Sequence, residues 1–253
     1  MTSLRASQQP APVVDEGSAV DELLKSANAL LKQRQGDRAL PSFERALEQA
    51  RRLGLEAQQA DALCGIGEIQ YFSTQYTASR ERGLEALSIY ERLSSQEGIG
   101  RASHLLSLVE QLTGNTAAAR TYSMRAVAAW DAAGHREGRA IATLQLLKVS
   151  RLPIDEERPL YSRAIDDARA VGLRTIEGEA LHSLGDHLFV AARYEEALDR
   201  LNESAAIPPR CRWSPPAAGA APPGDRRVDT VGDRIRGSAH RDATGWQSRC
   251  ESG

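Results

Sequence analysis

The pair of residues best placed to do chemistry is His182 with Asp186. Four positions apart, they share one face of a helix and can hydrogen-bond. A histidine oriented by a carboxylate is half of a hydrolytic site. The other half, a nucleophile with oxyanion donors, has no counterpart around it. His187 lies five positions from His182, on another face, so the two do not make a helical metal site. Gly65-Ile66-Gly67 has the glycines of a phosphate loop but lies inside a helical apolar pattern, where close helix packing explains it. Asp166 and Asp167 are adjacent and diverge. Asp155-Glu156-Glu157 reads as the first turn of a helix, where carboxylates meet free N–H groups and the positive end of the dipole. Cys64, Cys211 and Cys250 show neither metal-ligand spacing nor a disulfide framework, and Cys64 reads as a small core residue. These residues specify no reaction. The expectation is a non-enzymatic protein with no catalytic residue, metal or cofactor.

The elements that carry these residues are helices. The 253 residues are rich in Ala, Leu, Glu and Arg and poor in aromatics, a composition that loses little side-chain freedom in a helix. A net charge of −2 gives no reason to expect nucleic acid or a membrane surface as partner. No apolar run is long enough to span a bilayer, and the N-terminus has no apolar core of a secretion signal. A cytoplasmic setting is therefore expected. Residues 1–18, polar and carrying Pro10, Pro12 and Gly17, read as a disordered leader.

From Ala19 the character changes. Val20, Leu23, Leu24, Ala27, Leu30 and Leu31 recur at helical spacing. Gly36-Asp37 interrupts, and Ala39, Phe43, Ala46, Leu47 and Ala50 begin a second helix that Gly54 ends. Small residues then fall at Ala46, Ala86, Ala126, Ala164 and Ser204, in steps of 40, 40, 38 and 40. Eight positions after each of the first four comes a turn residue: Gly54, Ser94, Gly134, Gly172. Eight further on comes an alanine: Ala62, Ala102, Ala142, Ala180. Pro41 and Pro159 sit five positions before the frame alanine, in the first turn of a helix, where a missing N–H costs little. The short step falls near Pro153 and predicts an irregular turn there. A fixed period in this range marks stacked repeats, because one helix pair cannot bury its apolar face alone.

The unit Ala180-Leu181, Leu184-Gly185, Tyr194 to Leu198 and the small residue Ala205 resembles a tetratricopeptide repeat. Ile66-Gly67 with Tyr76 follows the pattern less fully, while Leu106-Ser107 and Leu146-Leu147 lack its glycine. The period of about 40 is similar to the long-helix bacterial arrays found ahead of CHAT protease domains or within large helical regulators. The resemblance covers residues 19–207 and implies an all-α, right-handed superhelical solenoid of about five helix pairs. It implies a protein-interaction scaffold or regulatory module whose concave groove holds a peptide or helix. The alternative is a regulatory half whose CHAT-type protease or other effector domain lies outside this chain.

Carrying the family frame across puts Asp61, Cys64, Glu68, Tyr71 and Phe72 on the concave face in the second unit. Arg101, His104, Leu108 and Gln111 follow in the third, Gln145, Lys148 and Arg151 in the fourth, and Glu179, His182, Asp186 and Phe189 in the fifth. The set lacks the basic clamp with which some family members hold a C-terminal carboxylate.

After Ile207 the composition shifts to Pro, Gly and Arg without leucine or lysine. Residues 208–253 read as a disordered tail, as an out-of-frame translation, or as an arginine-bearing arm for RNA whose charge its aspartates offset. The last helix would leave Leu198 and Leu201 uncovered, an apolar edge that invites self-association.

Overall fold

A computed structural model describes residues 16–150 and 152–207. The expected tail, most of the expected leader and Arg151 lie outside the described residues. The chain divides into two units, Met1–Ala206 and Ile207–Gly253, and the described helices belong to the first.

They are ten α-helices: α1 (Glu16–Lys32), α2 (Gly36–Leu53), α3 (Glu56–Phe72), α4 (Tyr76–Arg92), α5 (Gln96–Leu112), α6 (Thr116–Ala132), α7 (Arg136–Val149), α8 (Ile154–Ala170), α9 (Arg174–Val190) and α10 (Tyr194–Ala205). The first helix starts three residues ahead of the expected Ala19. Glu16 belongs to its first turn, where the helix dipole favours a carboxylate, and it pairs with Arg52 at 3.0 Å.

Each helix packs on its sequence neighbours. Each odd-numbered helix also packs on the next odd one, whereas no two even helices pack on each other. The odd helices therefore form a continuous inner layer, and the even helices stand apart on the other side. This is the solenoid arrangement the repeat frame predicts. Its contacts are made where the frame puts small residues. Ala46, Ala86, Ala126, Ala164, Ala62, Ala102, Ala142 and Ala180 are all fully buried. Ser204 is partly buried and donates to Gly178 O at 2.9 Å.

The turn residues fall as expected. Gly54, Gly134 and Gly172 have φ of 67–72°, and Ser94 has φ 53° in the same frame position. The shortened repeat shows how the irregular turn forms. Helix α7 stops at Val149 after 14 residues, Ser150 is extended, and Pro153 leads into α8. Glu157, buried in the first turn of α8, accepts from Leu152 N at 3.3 Å and ties the loop down.

Where repeats lack the glycine of the tetratricopeptide pattern, the helix crossing is made differently. Gly67 lets α4 come close, and Ser79 Oγ donates to its carbonyl at 2.8 Å. Forty positions on, Ser107 and Ser123 meet hydroxyl to hydroxyl at 2.6 Å, fully buried. In the next repeat the large Leu147 and Tyr161 fill that level. Among the described residues no helix is long and apolar enough to cross a membrane.

Candidate interaction surface

The inner faces of the odd helices carry most of the residues expected to line a groove, and the structure groups them by junction. Between α3 and α5, Arg101 Nε donates to Glu68 Oε1 at 3.0 Å and its Nη1 lies 3.7 Å from Asp61 Oδ1. A second Nη reaches Asn28 Oδ1 on α1 at 3.3 Å, so one arginine ties three successive odd helices together. Tyr90 of α4 donates to Asp61 from behind at 2.6 Å. Burial and the nearby carboxylate push the Tyr90 hydroxyl pKa up, so it stays a donor.

Between α5 and α7, Gln145 Nε2 donates to Gln111 Oε1 at 2.8 Å and to Ser107 Oγ at 3.4 Å. Gln145 is buried and is not a groove residue. Its amide instead satisfies groups inside the helix contact. Between α7 and α9, Lys148 pairs with Glu179. On α9, His182 Nε2 lies 3.5 Å from Asp186 Oδ2, both well exposed. Leu108 is partly buried.

The aromatic candidates lie at the ends of odd helices. Tyr71 packs edge-on against Phe72 and also against Tyr76 across the turn, and Arg34 sits 5.2 Å over the Phe72 ring. Phe189 packs on Tyr194 in the same way. Phe72 is 57% exposed and Phe189 60%.

His104 faces a different environment. Its ring lies 5.8 Å from Trp130, and its Nδ1 is buried with no hydrogen-bond partner. Burial, then the charge of Lys148, pushes its pKa down to about 4, so the ring is neutral at physiological pH. Cys64 is buried, not groove-lining, and burial pushes its thiol up to about 12. A thiol held protonated is no nucleophile.

One polar cluster was not anticipated. His187 Nδ1 lies 2.7 Å from Glu157 Oε2 and 3.3 Å from the Tyr161 hydroxyl, joining α8 to α9 beside the irregular turn. It takes a carboxylate read as a helix-start residue and turns it inward. Among the described residues no group of three or more His, Cys, Asp or Glu is arranged to hold a metal ion.

No family profile and no curated protein matches the chain. Solved structures do. BtubC from P. vanneervenii superposes with a TM-score of 0.64 at 15% identity, over 87% of this chain and 89% of that one. The apo form of RapI gives 0.58 at 17% identity, over 76% and 69%. The TPR-like repeats of a putative kinesin light chain from Podosopora anserina give 0.57 at 17%, over 77% and 96%. The fold is thus that of the tetratricopeptide-like repeat arrays.

Proposed function

We propose that this array is a non-enzymatic protein-interaction module that takes a peptide or a helix along its odd-helix face. What carries the reading is the makeup of that face. Lys148–Glu179 and His182–Asp186 stand exposed on adjacent helices, and exposed aromatics Phe72 and Phe189 stand at its edge. Polar groups of both signs beside aromatic anchors suit an extended peptide or an amphipathic helix. The buried, protonated Cys64 and the pairing of His182 with a carboxylate alone favour a binding role over a chemical one. We read the setting as cytoplasmic, where the free Cys64 thiol stays reduced.

Selection of binders from a random peptide display library tests this. Binders should lose affinity about tenfold or more on Asp186→Lys or Lys148→Glu, and should be indifferent to Glu81→Lys on α4. Binders that ignore the odd-helix changes, or a library that yields none, would refute the reading. The alternative, an array regulating a protease domain, predicts in-frame Cys/His protease sequence downstream in the gene.

A further inference from the structure

The α9–α10 pair carries a strip of exposed apolar side chains. Phe189, Val190, Tyr194 and Leu198 are 60, 84, 60 and 59% exposed. The rings of Phe189 and Tyr194 meet edge-on at 5.4 Å, and Leu198 follows Tyr194 by four positions, one turn along the same side of α10. Leu201, by contrast, is taken up within the repeat. It fills a notch at Gly185, where an added Cβ would lie 2.7 Å from its Cγ. Single exposed apolar residues need no explanation, but a strip of neighbouring ones marks a place where another chain can sit.

The repeat frame gives the chemistry of that neighbour. Leu198 holds the place of Arg80 and Arg158. Both arginines reach forward, Arg80 to Glu110 on α5 at 2.6 Å and Arg158 to Glu196 on α10 at 2.6 Å. Two other frame positions match successive odd helices to each other. Glu68 on α3 accepts from Arg101 on α5 at 3.0 Å, and Lys148 on α7 pairs with Glu179 on α9. At the junction between these, Leu108 and Ile141 hold the same two places. So acid meets base, apolar meets apolar, and base meets acid. Asp186 on α9 is the next forward member of this series, and it is well exposed, with His182 of its own helix at 3.5 Å. Glu195 and Asp199 are exposed beside Leu198, and neither has an ion-pair partner among the described residues.

We propose that this edge docks a basic amphipathic helix of another polypeptide, laid against α9 and α10 in the manner of a further odd helix. Its apolar stripe covers Leu198 and the Phe189–Tyr194 pair, and a lysine or arginine faces Asp186. Further basic residues beside the stripe complement Glu195 and Asp199. A second copy of this chain suits the edge poorly. Stacked head to tail, it would set Asp21, the α1 equivalent of Arg101, against Asp186. Joined edge to edge, it would gather Asp186, Glu195 and Asp199 of both copies. Either arrangement brings like charges together, which works against it. The edge adjoins the odd-helix face and shares Asp186 and Phe189 with it, but Leu198 belongs to the edge alone.

A dye-labelled helical peptide made of the heptad Leu-Lys-Lys-Leu-Leu-Lys-Leu, and its counterpart with glutamate for every lysine, provide the test on the full chain. Anisotropy should show the basic peptide binding about tenfold or more tighter than the acidic one. Leu198→Glu should weaken the basic peptide about tenfold or more, although it adds a negative charge that would strengthen a merely electrostatic attraction. Leu198 is exposed, so circular dichroism should show this variant as helical as the native chain. Asp186→Asn should weaken binding about fivefold. Lys148→Glu, which should weaken binders of the odd-helix face, should not weaken this peptide. Equal binding of the two peptides, binding of neither, binding that survives Leu198→Glu, or binding lost on Lys148→Glu would each overturn the proposal. So would a native chain found dimeric by light scattering whose dimer Leu198→Glu breaks, since a second copy would then fill the edge. Binders of the odd-helix face should be insensitive to Leu198→Glu, so the two readings fail separately.

Discussion

His104 should make this protein lose stability in mild acid, and the size of the loss follows from its surroundings. Its ordinary pKa is 6.5 and its folded value is about 4, because burial beside Trp130, and then Lys148, disfavour the charged ring. Between those values the unfolded chain carries a proton here that the folded chain does not. Stability is then complete above pH 6.5 and falls as the pH drops, levelling off below pH 4. Each pH unit in the window costs about 1.4 kcal/mol, so ~2 kcal/mol is gone at pH 5. Other groups titrate in the same range, so the contribution is read as a difference. His104→Phe keeps a ring against Trp130, removes the buried Nδ1 that has no partner, and cannot titrate. Urea unfolding should find the variant within about 1 kcal/mol of the native chain at pH 7.5. On moving to pH 5 the native chain should lose ~2 kcal/mol more than the variant, or roughly 4–8 °C in Tm for a domain of this size. Equal acid sensitivity of the two chains, or an NMR titration midpoint for His104 near its ordinary value, would refute the reasoning.

Two further perturbations bear on the frame itself. Thr74 and Ser94 hold φ of 60° and 53° without being glycine, a conformation that costs roughly 1–2 kcal/mol for an L-residue. Thr74→Gly and Ser94→Gly should each recover about 0.5–1 kcal/mol, visible as a rise of a few degrees in Tm, and additive because the turns are far apart. The Arg80–Glu110 pair should behave as a coupled unit. The hydrogen bond from Arg80 holds the Glu110 carboxyl below its ordinary value, so the pair stabilises above the usual carboxylate range and weakens as the pH falls through the lower folded value. Arg80→Leu alone leaves a buried acid without its cation and should cost about 3 kcal/mol in urea unfolding. Adding Glu110→Gln should restore much of that, since the double change reproduces the pair of residues found one repeat earlier.

The sequence made the stacking legible because stacking depends on one-residue facts. Where helices must touch, only a small residue fits, and Ala62, Ala102, Ala142 and Ala180 announce those places. The 38-residue step announced the loop at Pro153. The groove was less legible because its residues depend on which helices are neighbours. Gln145 occupies a position that faces outward in the repeat pattern, yet the amides of Gln111 and Gln145 find each other across the α5–α7 contact and close over. Tyr90 and Trp130 were missed for a related reason. Each ring packs into a notch on the next odd helix, against Gly98 and Gly138, where an added Cβ would lie 2.1 and 2.4 Å from the ring. The two ring–glycine pairs are one repeat apart, so they were visible as a repeat of Tyr90-to-Gly98 spacing at Trp130 and Gly138. The remaining junctions put Ala50 and Ala168 at the ring position, and a feature present in half the junctions does not stand out against the period.

The even helices, which never pack on one another, show what distinguishes one junction from the next. At one level a charge pair bridges every gap: Arg51 with Glu85, Glu91 with Arg125, Asp131 with Arg163, and Arg169 with Glu203. All four fall on the same frame positions, and their signs reverse between the first and second gaps and again between the third and fourth. Exposed pairs of this kind are worth about 0–1 kcal/mol each. Their common feature is the frame position, which pairs opposite charges across every gap whichever sign comes first. At a second level the frame position of Leu40 is arginine in every later repeat that has a helix pair beyond it: Arg80, Arg120 and Arg158. Arg80 and Arg158 are spent on partners inside the array, Glu110 and Glu196. The position facing it, Gln70 and Glu110 in the first two gaps, becomes Ser150 and Leu188 in the last two. Ser150 Oγ is also buried without a partner, but it sits in the turn left by the shortened α7, so its departure has a local cause. No such cause acts at the first gap. Helices α2, α3 and α4 are full length, their turns follow the pattern, and the Arg51–Glu85 bridge is in place. A junction that keeps its geometry and its charge bridge has exchanged the arginine and the acid together, for Leu40 and Gln70, so that neither half of the ion pair is left buried alone.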